Sequence, residues 1–202
     1  MASTKARGLC YDPNPGRAGR PSPALWASPA ANRPISWTVA MTDREDSSIV
    51  PDHSRAEATI ALASDHGGVE LKALLVDHLR ATGHDVLDLG TQGPESVDYP
   101  DIANTLAQAL RAGRAGRGVL ICGTGIGISI AINRHADMRG ALVHDAFGAR
   151  LARQHNDANV LVLGGRTTGP EIAKDCADIF LSTPFEGGRH ARRVAKLGTP
   201  SA

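Results

Sequence analysis

Two kinds of apolar spacing take turns along the chain from Thr59 onward. Short unbroken apolar runs, at Thr59–Ala63, Val86–Leu89, Gly118–Cys122, Ala141–Val143 and Val160–Leu163, have the length and composition of buried strands. Between them the apolar positions fall at helical spacing. In Val69–Ala81 they are Val69, Leu71, Ala73, Leu74, Leu75, Val76 and Leu79, and Gly83 supplies the stop. Asp101 offers a cap for a helix through Ala112, and Ile126–Arg134 follows the central strand as a helix. Asp145 caps a helix through Gln154, Pro170 starts one that runs to about Leu181, and Gly188–Leu197 is predicted as a terminal helix. Strands alternating with helices predict an α/β domain. Its expected form is a doubly wound, mainly parallel five-stranded sheet with helices on both faces, Rossmann-like and in a single domain. Right-handed crossovers then place the C-terminal ends of the strands along one rim, where ligands bind.

Upstream of residue 58 the alternation is missing. Residues 1–57 are rich in Pro, Ala, Arg and Ser, and Pro13, Pro15, Pro21, Pro23, Pro29 and Pro34 interrupt any helix. This stretch is predicted to be a disordered N-terminal extension, with residues 58–202 forming the domain. Up to Met41 it is basic, with Asp12 its only acidic residue. That bias is shared with transit peptides, but the prolines oppose the amphipathic helix such a peptide needs. The alternative is that Met41 is the natural start and the residues before it are not native.

Composition narrows the function classes. The chain of 202 residues is 42% hydrophobic with a formal net charge of +1, so nothing invites nucleic acid or a membrane surface. Aromatics are only 3%, too few for base-stacking platforms. No apolar run approaches the roughly 20 residues of a membrane span. Cys10, Cys122 and Cys176 are scattered, forming neither a disulfide framework nor a metal knuckle, and a reducing, cytoplasmic compartment suits them.

The candidate chemistry clusters in the loops of the expected rim. These are Ser64-Asp65-His66-Gly67-Gly68 after the first strand, Cys122-Gly123-Thr124-Gly125 after the third, His144-Asp145 after the fourth and Gly164-Gly165-Arg166 after the fifth. The third is the most informative. A buried strand ends in a thiol beside a glycine-rich loop and the start of a helix. Backbone N–H groups there face the same space as the sulfur, a surrounding that favours negative charge. Arg189 and Arg193, four apart, share a helix face and could clamp a phosphate, although a solvated basic helix end would read the same way. On pattern alone His155-Asn156-Asp157 is a polar turn, Thr124 a helix cap and Tyr99 a packing aromatic.

The residues from about Ile60 to Lys196 resemble the ribose-5-phosphate isomerase B family, which includes relatives acting on allose and galactose 6-phosphates. The resemblance rests on Ser64-Asp65-His66-Gly67-Gly68, Asp98-Tyr99-Pro100, Ile121-Cys122-Gly123-Thr124-Gly125-Ile126-Gly127, Arg153-Gln154-His155-Asn156-Asp157-Ala158-Asn159 and Glu186-Gly187-Gly188-Arg189-His190-Ala191-Arg192-Arg193, in family order and spacing. It implies isomerisation of ribose 5-phosphate to ribulose 5-phosphate through an enediolate, in the pentose phosphate pathway, with no metal or organic cofactor.

Cys122 matches the family's base in its cysteine branch. The glutamate base of another branch would fall at Ile128, which cannot move protons. Thr124 and the amides of Gly123, Gly125 and Gly127 match the groups holding the enediolate oxygens. His155 matches the ring-opening acid, assisted by Asp65, and Asn156 would position hydroxyls. His66 would serve phosphate or hydroxyls, Tyr99 would line the sugar pocket, and Arg166, Arg189 and Arg193 would hold the phosphate. His135, His144 and His190 match no role. The family's active site lies between two subunits, so a homodimer or a dimer of dimers with a shared site is implied. Isomerisation of a six-carbon sugar phosphate would use the same residues. A non-catalytic phosphate-binding module would need the glycine loop without Cys122, Asp65 and His155 together.

Overall fold

The computed structural model describes residues 58–198, so the predicted extension 1–57, with Cys10 and the candidate start Met41, lies outside the described residues. Within them the chain forms strands β1 (Ile60–Ser64), β2 (Val86–Asp88), β3 (Arg117–Cys122), β4 (Gly140–Leu142) and β5 (Val160–Gly164). Between and after the strands lie helices α1 (Val69–Ala81), α2 (Tyr99–Arg111), α3 (Ile126–Ile132), α4 (Ala146–Asn156), α5 (Pro170–Ser182) and α6 (Arg189–Val194). The strands form one parallel sheet in the order β2-β1-β3-β5-β4.

The unbroken apolar strands follow from burial on both faces. Alternate residues point opposite ways. Ile60, Leu62, Val119, Ile121, Leu161 and Leu163 meet α1, α4 and α5 through Leu75, Leu79, Ala149 and Phe180. Ala61, Ala63, Leu120, Cys122, Val160 and Val162 meet α2 and α3 through Leu106, Ile128 and Ile132. The helices after β1 and β5 thus leave on one face, and the helix after β3 leaves on the other. The chain parts on both sides of the β3 terminus, and such a parting opens a crevice beyond the strand ends.

Most predicted elements are present, with two corrections. Asp101 does not cap α2. The helix begins at Tyr99, Asp98 holds the N-cap position, and Asp101 sits in the first turn. Pro100 falls where a missing N–H is harmless, so it starts the helix rather than delaying it. The terminal helix is shorter than predicted, Arg189–Val194. Asp145 caps α4 as expected, its carboxylate accepting the Gly148 N–H at 2.7 Å. One pairing was not anticipated. Lys72 of α1 is buried and binds Asp88 at the end of β2. Burial alone would raise the Asp88 carboxyl, but hydrogen bonds from Lys72, Gln92 and the Gly90 N–H win and hold it below its ordinary value.

Candidate active site

Backbone contacts lock together the loops that follow β1, β3 and β5. Asp65 N–H donates to Ile121 O at 3.1 Å, Gly165 N–H to Cys122 O at 2.8 Å and Arg166 N–H to Gly123 O at 2.9 Å. A methyl group at Gly165 would lie 2.4 Å from Gly67 O, so the β1 and β5 loops meet only because no side chain intervenes. Between them sits Cys122, 4% exposed. Gly125, left-handed at φ 77°, turns the chain into α3 and donates its N–H to Cys122 Sγ at 3.2 Å.

The other predicted residues of this rim surround the sulfur loop. The Asp65 carboxylate accepts the Gly67 N–H at 2.8 Å and is largely buried. Thr124 Oγ1 accepts the Ile126 N–H at 3.3 Å, so its hydroxyl also serves the start of α3. The Arg166 guanidinium lies against Gly123, and the Tyr99 ring lies against Gly127. His66 Nδ1 accepts the Val97 N–H at 3.4 Å. A cavity of about 390 Å³ opens beside these loops, lined by His66, Gly67, Glu70, Gln92, Gly165 and Arg166 among others.

His155, Asn156, Arg189 and Arg193 come together elsewhere. Helix α4 starts beyond the end of β4 and finishes at Asn156, just before β5 begins. The following Asn159 accepts the Gly118 N–H at 3.0 Å, at the start of β3. His155 and Cys122 are therefore at opposite rims of the sheet, separated by the length of β3, roughly 17 Å at a parallel-strand rise. At the His155 rim a second cavity of about 280 Å³ is lined by His155, Asn156, His190, Arg193, Val194 and Leu197.

This second cluster is held by charged side chains. Arg153, buried in α4, donates to Asp157 Oδ1 at 2.9 Å, Ala158 O at 2.6 Å and Thr183 O at 3.4 Å, with its guanidinium 5.7 Å from the Phe180 ring centre. Arg139 grips Asp157 from the other side, through Nη2 at 2.9 Å. Asp157 takes the left-handed conformation that ends α4, at φ 46°. These bonds fix the turn that presents His155 and Asn156.

Among the described residues, His155, Glu186 and His190 have the types and closeness of a cation site, with ligand atoms within 4.8 Å of one another. Their geometry suits a stacked pair of rings better. The two imidazoles are parallel within 3°, so their nitrogen lone pairs do not converge, and Arg189 aims an N–H at His190 Nε2.

A thiol enclosed in a glycine loop at a strand end is the arrangement that the resemblance to the ribose-5-phosphate isomerase B family implies, and similarity to known proteins agrees with that resemblance. The family model described as Ribose/Galactose Isomerase matches residues 60–197. The chain belongs to this family. It is a sugar-phosphate isomerase. It is 47% identical over 138 residues to ribose-5-phosphate isomerase B of Escherichia coli (strain K12), covering 68% of this chain and 93% of the relative. It is 41% identical over 141 residues to D-erythrulose-4-phosphate isomerase of Pectobacterium atrosepticum, covering 69% of this chain and 93% of that one. Among solved structures, a ribose 5-phosphate isomerase from Thermotoga maritima matches with a TM-score of 0.70 at 50% identity, covering 71% of this chain and 99% of that one. No helix among the described residues of this isomerase is long and apolar enough to cross a membrane.

Sequence reasoning assigned no role to Arg153, Asp157, Glu186 or His190, which build the His155 rim. The i, i+4 spacing of Arg153 and Asp157 was a readable signal for their ion pair. Nothing local could have placed Glu186 beside His155, because that contact joins segments about 30 residues apart.

Proposed function

We propose that this isomerase interconverts ribose 5-phosphate and ribulose 5-phosphate, with Cys122 as the base. The observation that carries the reading is the Cys122 sulfur itself, enclosed at the end of β3 with an N–H donor aimed at it. Two of the similar proteins cited above are named as ribose-5-phosphate isomerases, which supports the substrate. Cys122 takes the proton from C2, and the electron pair moves onto O1 to form the enediolate. The same proton then returns to C1 as O2 becomes the carbonyl, its hydroxyl proton passing to O1, which becomes the C1 hydroxyl. Thr124 and the amides of Gly123 and Gly127 hold the enediolate oxygens, while the Gly125 amide serves the sulfur. Fixed donors aimed at developing charge are a large catalytic contribution. The reaction moves protons within one molecule and needs neither metal nor organic cofactor.

Before that step the furanose must open. His155 supplies the proton to the ring oxygen, Asp65 assists at the hydroxyls, Asn156 orients the sugar, and Tyr99 and His66 line the pocket. Arg166, Arg189 and Arg193 hold the phosphate. One chain cannot do this alone, because His155 and Cys122 lie at opposite rims. The site is therefore completed by a second copy, in a homodimer or a dimer of dimers. An exposed apolar face supports this. Ile126 and Ile130, one turn apart on the helix that follows Cys122, are 56% and 57% exposed.

The relative named for erythrulose 4-phosphate favours a second reading, in which a sugar phosphate of another length is the preferred substrate. A pocket discriminates weakly between sugars that differ by one carbon. The deciding experiment is an isomerisation assay in chelator, with ribose 5-phosphate, allose 6-phosphate and erythrulose 4-phosphate side by side and Cys122→Ala as control. Cys122-dependent turnover that is fastest on ribose 5-phosphate is expected. Preference for another sugar would change the substrate and keep the mechanism. Undiminished activity of Cys122→Ala would remove the base.

A further inference from the structure

His155 does not stand alone at the end of α4. Its ring lies face to face with His190 of α6, centres 4.3 Å apart and planes within 3°. Glu186 Oε2 reaches the Nε2 edges of both rings, 3.9 Å from His155 and 3.8 Å from His190. Glu186 is itself anchored to the same helix end, its N–H donating to Gln154 O at 3.1 Å. The His190 side chain is 7% exposed against 35% for His155, and Arg189 Nε donates to His190 Nε2 at 3.3 Å. Burial pushes the His190 imidazole below its ordinary value, His155, Arg189 and Arg193 push the same way, and Glu186 opposes them. A buried neutral ring thus backs a half-exposed one. Two charged rings would repel at this distance, whereas one neutral ring makes a flat, stable support.

We propose that Glu186 and His190 are positioning residues for His155, holding its ring for the furanose-opening step and leaving the enediolate chemistry at Cys122 untouched. This rests on the ribose 5-phosphate reading. In ring opening the bond between C1 and the ring oxygen breaks, the ring oxygen gains a proton, and the O1 hydroxyl loses one as C1 becomes a carbonyl. The acid must be aligned with the ring oxygen, and an imidazole free to swing loses that alignment. Ribulose 5-phosphate carries its phosphate on O5, so it cannot close a five-membered ring. It reaches the enediolate without the opening step, and the two halves of the reaction can be measured separately.

The test uses Glu186→Gln, His190→Ala and His190→Phe in the whole protein, each checked for folding by thermal melting. Net conversion of ribose 5-phosphate is measured beside solvent deuterium uptake at C1 of ribulose 5-phosphate, followed by NMR. Glu186→Gln and His190→Ala should convert ribose 5-phosphate about tenfold more slowly, part of the roughly 10²- to 10⁴-fold that a positioned acid contributes. Deuterium uptake should stay within about twofold of the native rate. The isotope effect of 2-deuterated ribose 5-phosphate should fall towards one, because the slowed step precedes C2–H cleavage. His190→Phe, which keeps a flat ring, should recover most of the rate lost in His190→Ala. Equal losses in conversion and uptake by folded variants, or no loss in conversion, would overturn the positioning role. A native protein inert in both assays would overturn the substrate reading and the proposal with it.

Discussion

The two rims of this sheet are built by different means. Around Cys122 the structure is backbone against backbone: the loops after β1, β3 and β5 interlock through N–H···O bonds, and Gly165 approaches Gly67 so closely that no side chain fits. Around His155 it is side chain against side chain: Arg153 and Arg139 fix Asp157, and Glu186 reaches both His155 and His190. Rigid backbone donors suit a charge that develops on an oxyanion. Long cationic side chains suit a mobile phosphate dianion. On the function proposed above, the difference between the rims would divide the chemistry into a proton-transfer half and a ring-opening and phosphate half, to be joined by a second copy of the chain.

The sharpest way to break that division is to disable each rim in a different chain. Cys122→Ala and His155→Ala should each lose activity by at least about 100-fold, the lower range for a positioned acid or base. Co-refolded in equal amounts, they should regain about a quarter of native activity, since half the dimers are mixed and each mixed dimer keeps one intact site. A mixture no more active than its parts would show that the rims do not share a site.

A smaller effect separates phosphate from sugar. Arg193→Gln should raise KM for ribose 5-phosphate by roughly 10- to 100-fold, the equivalent of a charge-assisted bond of about 1.5–3 kcal/mol, with a lesser change in kcat. The same substitution should leave deuterium exchange at saturating ribulose 5-phosphate nearly unchanged. A fall in kcat with KM constant would move Arg193 from phosphate binding to the chemistry.

The division into rims also explains what the sequence could reveal. Strand runs such as Gly118–Cys122 were readable because a buried parallel strand is apolar on both faces. The C-terminal rim was readable too, because its residues follow strand ends directly and the topology rule gathers them. The start of α2 was misread because an aspartate looks like a cap, and only the helix geometry shows Pro100 already inside. The His155 rim was legible only as a set of motifs. Its assembly depends on Arg153 reaching Thr183 and Glu186 reaching His155, contacts that no spacing rule specifies. The burial of Lys72 was invisible for the same reason, since its partner Asp88 lies on another element.

Arg153 tests whether the charged rim is structural as well as chemical. Arg153→Leu would keep contact with Phe180 but strand the Ala158 carbonyl and one side of Asp157, which Arg139 still grips. An unsatisfied buried acceptor costs about 1–3 kcal/mol, and the half-exposed Asp157 adds little. Urea denaturation should therefore show a loss of about 2 kcal/mol. Activity should fall further than stability alone dictates, because the turn carrying His155 loosens. Gly165→Ala at the other rim should cost a similar amount of stability, by overpacking against Gly67 O. A stable, inactive Arg153→Leu would assign that residue to the chemistry instead of the frame.

The smallest predicted effect lies away from both rims and shows what neither controls. Cys176 of α5 is fully buried in the core against α1 and α4, and it makes no disulfide. Burial pushes its thiol up from 9.0 to about 11, with Asp145 and Asp175 acting in the same direction. A folded-state value above the unfolded one means that the folded chain holds the proton more tightly. The contribution is complete below pH 9, declines as pH rises towards 11, and is gone above it. Urea midpoints should therefore fall across this window more steeply in the native protein than in Cys176→Ala, whose remaining slope reports the lysines and tyrosines that titrate there. Parallel slopes for the native protein and Cys176→Ala would mean that the core admits the thiolate. In that case burial against α1 and α4 would not be what holds the Cys176 proton.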